Sequence, residues 1–190
     1  AAAEIGYPVL LKAALGGGGR GIRVVSQAAD FAGALAEVRH EALRAFGSDQ
    51  VYLEKFLVET VRHIEVQVVA DQHGHYLHLG TRECSVQRRR QKIVEEAPAP
   101  NLSDDLRRRL HEAALAMARE VAYDSVGTVE FLVDASEQFY FIEMSARIQV
   151  EHPVTEAITG VDIVEQLIRS AQGLPLALSQ EQVQFHGHAL

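Results

Sequence analysis

The sequence predicts an α+β protein of two lobes, a small α/β lobe over residues 1–56 and a larger lobe over residues 57–190 with an antiparallel sheet. A glycine-rich hairpin followed by an amphipathic helix opens the chain. Later segments alternate between apolar and polar residues and are separated by turn residues, which is typical of antiparallel strands. Strands and helices that do not alternate regularly favour the α+β class.

The composition is that of an ordinary globular domain, with 47% hydrophobic and 23% charged residues. The net charge of −8 argues against a general nucleic-acid or anionic-membrane binder. Cys84 is the single cysteine, so an internal disulfide is excluded and we expect a cytoplasmic protein, or a mitochondrial matrix protein in a eukaryote. Apolar runs stay far below the roughly 20 residues of a membrane span. We therefore expect neither a membrane nor a nucleic acid as partner.

Both ends of the chain indicate a fragment of something longer. The sequence does not begin with Met, and residues 1–6 are typical of the tail of a helix that starts earlier. The last residues, 188–190, fall in a predicted strand. We therefore expect an incomplete catalytic unit.

In the small lobe, a glycine run joins two predicted strands. Pro8–Lys12 and Ile22–Val25 are the strands, and Gly16–Gly19 lies between them. The run lacks the Gly-Lys-Ser/Thr and the helix of a P-loop. Glycine lets the backbone approach an anion closely, so with Lys12 beside it we interpret the run as a flap over phosphates. A flexible linker is the alternative.

A helix and a third strand complete the small lobe. Ser26 is predicted to cap a helix over residues 28–46, whose apolar side chains recur at helical spacing. Residues 51–57 are predicted as a strand. Near its end, Glu54 and Lys55 are either solvated edge charges or part of a hinge that holds a ligand.

The larger lobe begins with a clean period-two segment. Residues 63–68 alternate, so His63, Glu65 and Gln67 share one polar face. Residues 75–84 are predicted as the partner strand. The polar face is interpreted either as a binding face or as a solvated one.

A basic and then acidic stretch follows, over residues 85–100, and is predicted to be irregular. Aromatic residues are not interleaved with its arginines, which favours an anion site for a small substrate over a nucleic-acid patch. Ser103 is then predicted to cap a helix that runs to about Val121.

Two later segments, Val126–Asp134 and Gln138–Met144, are predicted to form a hairpin. The predicted pairs, for a turn centred between residues 136 and 137, are Glu130 with Glu143, Thr128 with Ser145, Phe131 with Ile142, and Val133 with Tyr140. Opposed side chains lie with Cβ atoms about 4.5–5.5 Å apart. Two carboxylates this close favour a shared proton or a cation, and oxygen ligands suit Mg²⁺. Two edge glutamates that face solvent are the alternative.

Five runs of the chain resemble biotin carboxylase, an ATP-grasp enzyme that occurs alone or as a domain of larger carboxylases. The runs are Lys12–Gly21, Tyr52–Lys55, Arg88–Pro100, Gly127–Phe131 and Glu143–Glu156. The string Gln-Val-Glu-His-Pro-Val-Thr-Glu at 149–156 is the most specific, and the glycine run the least. The resemblance implies an ATP-grasp fold, with a flap subdomain over 1–56 and a truncated C-terminal subdomain over 57–190. The family's N-terminal lobe and its C-terminal end are missing.

The resemblance also implies a role for each matching residue. Those implied to bind ATP are Lys12, Gly18, Gly19, Glu54, Lys55, Leu57, His63 and Gln87. Those implied to bind Mg²⁺ or Mn²⁺ are Glu130, Glu143 and Ser145. Those implied to surround bicarbonate are Lys92, Arg147, Gln149 and Val150, with Glu151 as the base that deprotonates it.

The implied activity is that of an ATP-dependent ligase, which carboxylates biotin with bicarbonate through carboxyphosphate. The implied partners are a biotinylated carrier, a carboxyltransferase component and a second copy in a homodimer of the full-length protein. Two residues depart from the family pattern: Ser145 replaces an Asn that helps to hold metal, and Arg90 replaces a His. An ATP- and Mg²⁺-binding module with impaired catalysis and another ATP-grasp ligase are therefore the alternatives.

Overall fold

The computed structural model of this chain describes residues 1–16, 20–58 and 61–190. The chain divides into two compact units, Ala1–Thr60 and Val61–Leu190. Within the described ranges, each helix is too short or too polar to cross a membrane.

The first unit is a three-stranded antiparallel sheet with one long helix. Its strands are β1 (Val9–Ala13), β2 (Ile22–Val25) and β3 (Val51–Lys55), and its helices are α1 (Ala2–Ile5) and α2 (Phe31–Phe46). The strand order is β2-β1-β3, with β1 paired to both neighbours. Val38 of α2 is buried together with Val9, Leu11 and Val25 of the sheet.

The predicted cap of α2 is wrong. A 3-10 turn over Ala28–Asp30 separates Ser26 from the helix, and Asp30 occupies the N-cap position. The hydroxyl of Ser26 therefore lies too far along the chain to accept from the amides of the first helical turn. Gly47 ends α2 with a φ of 75°, a left-handed conformation that glycine adopts without steric cost.

The second unit is a five-stranded antiparallel sheet with three helices, as the fold class predicts. Its strands are β4 (Arg62–Ala70), β5 (Tyr76–Arg88), β6 (Gln91–Glu96), β7 (Val126–Val133) and β8 (Phe139–Ser145). Its helices are α3 (Asp104–Glu120), α4 (His152–Thr159) and α5 (Ile163–Ala171). The strand order is β6-β5-β4-β7-β8, which puts β4 at the centre.

Helix α3 covers one face of this sheet. Ser103 caps it as predicted, because its Oγ accepts from the backbone N–H of Leu106 at 3.1 Å. Two aspartates occupy the first turn, where negative charge is stabilising. The buried side chains shared by α3 and the sheet include Leu106, Leu110, Ala114, Ile64, Val66 and Val129.

The irregular structure predicted for residues 85–100 is wrong. Strand β5 continues to Arg88, and β6 pairs with it antiparallel from Gln91. The turn between them uses Arg89 and Arg90 at φ values of 53° and 66°. Such a turn normally contains glycine or asparagine, so the sequence carries no signal for this hairpin.

The register of the β7–β8 hairpin agrees with the prediction far from the turn and differs from it near the turn. Glu130 pairs with Glu143 and Thr128 with Ser145, as predicted. An irregularity after Glu130 then shifts the ladder by one residue, so Phe131 pairs with Phe141 and Val133 with Phe139. Phe139 thus packs against the core, whereas Tyr140 is 44% exposed.

Candidate active site

The polar face of β4 is buried and not solvated. Glu65 is 0% exposed and Gln67 1% exposed. Their strand lies between β5 and β7, with helices packed on the sheet. Buried charges need partners because desolvation is costly, so the surroundings of Glu65 identify a site.

A row of charged side chains crosses the sheet at the level of Glu65. In the paired registers Arg82 of β5 faces Glu65, Glu65 faces Glu130 of β7, and Glu130 faces Glu143 of β8. Three carboxylates therefore stand on neighbouring strands. Their mutual repulsion requires cations close by.

Lys92 of β6 supplies one of these cations. Its Nζ lies 2.5 Å from Oε1 of Glu151 and 3.8 Å from Oε1 of Glu130, and it also forms an ion pair with Glu65. Burial lowers the pKa of Lys92, but the three carboxylates outweigh burial and raise the pKa above its ordinary value. Lys92 is therefore a permanent ammonium, shared among three acids.

His63 lies beside the same carboxylates. Its Nε2 is 3.0 Å from Oε2 of Glu130 and 3.3 Å from Oε1 of Glu65. Burial lowers the pKa of His63, but these two carboxylates outweigh it and raise the pKa to about 9. Gln87 lies 2.9 Å from the other ring nitrogen. The Gln87 amide nitrogen that makes this contact also donates to the backbone carbonyl of Cys84 at 2.8 Å.

The loop after β8 brings further predicted residues to Glu130. Gln149 Nε2 donates to Oε1 of Glu130 at 2.9 Å, and the hydroxyl of Ser145 donates to the same oxygen at 3.0 Å. Glu151 is buried and occupies the N-cap position of α4. Ser145, Gln149, Lys92 and Glu151 are thus joined in one network around Glu130.

The carboxylate pair fits a hard divalent cation. Glu130 and Glu143 are directly opposed in the ladder, with the oxygen of Ser145 next to Glu130. Mg²⁺ prefers oxygen ligands and usually takes one or two carboxylates. His63, Glu65 and Glu130 also offer ligand atoms within 4.8 Å of one another, but a nitrogen ligand suits Mg²⁺ less well.

Two predicted bicarbonate residues lie apart from this network. Arg147 is exposed, and its guanidinium donates to the carbonyl of Ile148 at 3.1 Å. Val150 is 92% exposed. Within the described part of the chain, the side chain of Arg147 forms no hydrogen bond with Lys92 or Glu151.

Two of the predicted nucleotide-binding residues of the first unit, Lys12 and Glu54, form an ion pair. Lys12 is buried, with Nζ 3.1 Å from Oε1 of Glu54 and 5.5 Å from the ring centre of Tyr52. Lys55 Nζ instead donates to the carbonyl of Gly6 at 2.8 Å. Leu57 is half-buried. The predicted phosphate-binding residues Gly18 and Gly19 lie outside the described residues.

Sequence reasoning missed the most deeply buried part of the network. Arg82 is fully buried and donates to Glu65, Gln67, Thr128, Gln149 and Thr155. One signal was available in the sequence. If β4 and β5 form a hairpin about the turn at Asp71–Gly74, Arg82 lies approximately opposite Glu65.

The chain is similar in sequence to one protein family and to known proteins. The sequence matches the family described as carbamoyl-phosphate synthase L chain, ATP binding domain, over residues 1–179. A biotin carboxylase from Nostoc sp. is 53% identical over 189 residues, which are 100% of this chain and 42% of that protein.

Two solved structures share the fold. The biotin carboxylase from Campylobacter jejuni, in a β,γ-ATP complex, matches with a TM-score of 0.93 and 51% identity over 98% of this chain and 41% of that one. The biotin carboxylase domain dimer of 2-oxoglutarate carboxylase from Hydrogenobacter thermophilus, with MgADP, ADP and bicarbonate, matches at 0.91 and 49%, with 98% and 41% covered.

The chain spans about two-fifths of the length of these relatives, 42% and 41%. Its two antiparallel sheets are those of an ATP-grasp fold. Because the family match extends over residues 1–179, this chain belongs to the carbamoyl-phosphate synthase L chain, ATP-binding domain family.

Proposed function

We propose that this chain is part of a biotin carboxylase, an ATP-dependent ligase that carboxylates biotin with bicarbonate. The observation that carries the proposal is the contact of Lys92 with Glu151, which are 2.5 Å apart, beside the row of buried carboxylates. The 53% identical relative is a biotin carboxylase, and one of the similar solved structures binds MgADP and bicarbonate.

The chemistry suits these residue types. Bicarbonate is a weak nucleophile until a base takes its proton, and the carboxylate of Glu151 is that base. Lys92 then balances the charge of the resulting oxyanion. The oxyanion attacks the γ-phosphorus of ATP, a new O–P bond forms, and ADP leaves with the electrons of the broken bond. The C–O bond of carboxyphosphate then breaks to give CO2 and phosphate, the phosphate takes the N1 proton of biotin, and N1 forms the new bond to the carbon of CO2.

Lys92 must change partners during this reaction. Its ammonium forms an ion pair with Glu151, so it occupies the carboxylate that has to accept the bicarbonate proton. When bicarbonate enters, we expect Lys92 to turn to the anion and leave Glu151 free to accept a proton. We assign the remaining bicarbonate contacts to Arg147, Gln149 and Val150. Arg147 is exposed, so its side chain is accessible to an incoming anion.

The other substrate is ATP with a divalent cation. We assign the nucleotide contacts to Lys12, Gly18, Gly19, Glu54, Lys55, Leu57, His63 and Gln87. We assign the cation to Glu130, Glu143 and Ser145. When bound, Mg²⁺ or Mn²⁺ supplies positive charge that neutralises the phosphate oxygens.

At the level of the whole protein, we propose that residues 1–56 act as a flap subdomain and 57–190 as part of the C-terminal subdomain. The partners would be a biotinylated carrier, a carboxyltransferase component and a second copy of the full-length protein. One of the similar solved structures is a dimer of biotin carboxylase domains, which supports the last of these. We expect the reaction in the cytoplasm, or in the mitochondrial matrix of a eukaryote.

The activity is tested by ATP cleavage in the full-length protein that contains this sequence. We expect phosphate release that requires bicarbonate and rises when free biotin is added. Phosphate release that is indifferent to both compounds would show that the proposed reaction is wrong.

The role of Glu151 is tested in the same assay with Glu151→Gln. The amide cannot accept the bicarbonate proton, so kcat should fall by about 100-fold or more, the range of a lost general base. Glu112→Gln, an exposed position on α3, is the matched control and should leave kcat unchanged. Activity of Glu151→Gln equal to that of the control would exclude Glu151 as the base.

A further inference from the structure

We infer that Arg82 is the positioning residue of the bicarbonate site, acting through Gln149 and Glu65; this inference rests on the proposed function. Arg82 lies on β5, directly opposite Glu65 in the ladder with β4. Its side chain is 0% exposed, so it is closed to solvent and to substrate. Any influence on the reaction must pass through the residues that it contacts.

The guanidinium binds side chains from four parts of the second unit. Its partners are Glu65 (3.1 and 3.3 Å), Gln67 (2.7 Å), Thr128 (3.1 Å), Gln149 (2.9 Å) and Thr155 (3.0 Å). A guanidinium is planar and offers five N–H donors in fixed directions. Partners on β4, β7, the loop after β8 and helix α4 together leave Arg82 a single orientation.

Arg82 decides which way the amide of Gln149 points. Because a guanidinium only donates, the atom of Gln149 that faces it must be the oxygen, Oε1. The amide nitrogen is thereby turned toward Glu130 and Ser145, to which it donates at 2.9 and 3.2 Å. The donor nitrogen of Gln149, and not its oxygen, therefore faces Glu130 and Ser145.

Arg82 also divides the two oxygens of Glu65. Oε2 of Glu65 accepts from Arg82, and Oε1 pairs with Lys92. With one oxygen fixed, the other holds the ammonium near Glu151. Glu65 thus positions Lys92, and Arg82 positions Glu65.

The contact with Thr155 extends the same control to the proposed base. Thr155 is buried on α4, whose N-cap residue is Glu151. The bond from Arg82 fixes this helix, and with it the start of the segment that carries Glu151, on the sheet. A buried charge whose only use is stability can often be replaced by apolar residues without loss. Contacts that converge on Gln149, Lys92 and Glu151 instead favour a role in positioning.

Three variants of the full-length protein test this inference. Arg82→Lys keeps the charge opposite Glu65 but replaces the planar fork with one flexible ammonium. Thr155→Val removes a single anchor at nearly constant volume. Thr81→Val is the matched control: Thr81 is also buried on β5, but its hydroxyl accepts from the backbone N–H of Ala99.

For Arg82→Lys we expect the KM for bicarbonate to rise by about tenfold or more, as for a misplaced substrate-binding group. At saturating Mg²⁺, the KM for ATP should change by less than about twofold, because the nucleotide contacts that we assign do not include Arg82 or its direct partners. Thr155→Val should shift the KM for bicarbonate in the same direction by a smaller factor, and Thr81→Val should shift neither constant. A general loss of structure would instead change both constants together.

A wild-type KM for bicarbonate in folded Arg82→Lys would overturn the inference. If Arg82→Lys does not fold, the comparison of Thr155→Val with Thr81→Val tests the inference. Equal KM values for bicarbonate in these two variants would overturn it. Crystal structures of the variants give a readout that is independent of activity. We expect the Gln149 amide of Arg82→Lys to leave Glu130, whereas an unmoved amide would contradict the inference even if the wild-type protein proves to have a different activity.

Discussion

At the scale of single residues, Glu130 is the point where the network converges. Oε1 accepts from Gln149 and Ser145, and Oε2 faces the ring of His63. In the absence of ligands, these donors compensate the charge of the carboxylate. A divalent cation that binds Glu130 and Glu143 has to compete with them. Of the two donors to Oε1, the hydroxyl of Ser145 is the more easily changed, because its hydrogen can rotate away and leave the oxygen facing the cation.

Ser145→Asn should lower the Mg²⁺ concentration needed for half-maximal ATP cleavage. The amide oxygen of asparagine extends farther from the backbone than a serine hydroxyl and is a good ligand for a hard cation. The measurement is a Mg²⁺ titration at saturating ATP in the full-length protein. Ser136→Asn, in the exposed turn before β8, is the control. Identical titrations for the two variants would show that position 145 does not contact the cation.

At the scale of elements, both Ser103 and Ser26 are predicted as helix N-caps, but only Ser103 caps its helix. Ser103 accepts from the backbone N–H of Leu106, and its hydroxyl donates to Glu137 at 2.6 Å. Ser103→Ala should therefore destabilise the protein by about 1 kcal/mol, the usual cost of a lost N-cap. Ser26→Ala should be nearly neutral, because the 3-10 turn separates Ser26 from α2. Urea unfolding measures both, and equal losses of stability would contradict the assignment.

The elements also show what sequence patterns can and cannot predict. The pairing of Glu130 with Glu143 was predicted for a turn centred between residues 136 and 137, whereas Val133 pairs with Phe139 and so centres the turn on residue 136. The irregularity after Glu130 restores the predicted pair. The β5–β6 hairpin was missed, since its strands are polar and its turn, Arg89–Arg90, contains no glycine. The contacts of Arg82 were missed for another reason. They join residues from 65 to 155, and no local pattern reports which distant polar side chains are buried together.

At the scale of the whole molecule, a pair of neutral histidines makes the stability of the second unit depend on pH. His78 of β5 and His111 of α3 stack with ring centres 3.7 Å apart. His78 Nδ1 and His111 Nε2 are buried without a hydrogen-bond partner among the described residues. Burial lowers the pKa of His78 to about 4. Burial, the charge that His78 gains once it is protonated, and the charge of Arg107 lower the pKa of His111 to about 3.

The unfolded chain protonates these rings near pH 6.5, well above their pKa values in the folded state. Their contribution to stability is therefore complete above about pH 6.5 and is lost as the pH falls toward 4. Between pH 7.5 and pH 5 we expect a loss on the order of 1–2 kcal/mol per imidazole.

Urea unfolding at several pH values measures this loss. His111→Gln should flatten the pH dependence between pH 7.5 and pH 5, because one titrating ring is removed. His186→Gln, at an exposed position of the same unit, should keep the wild-type slope. A slope that survives in His111→Gln would show that other groups cause the acid sensitivity.

The irregularity in the β7–β8 ladder has a consequence for how chains of this kind can vary in length. It shifts the pairing by one residue between Glu130 and Phe131, so β8 carries one residue more than a regular ladder needs. A deletion of one residue in the turn can be accommodated by straightening β8, because the extra residue then moves into the turn and Glu143 stays opposite Glu130. Turn length and the position of the carboxylate pair can thus diverge independently during evolution.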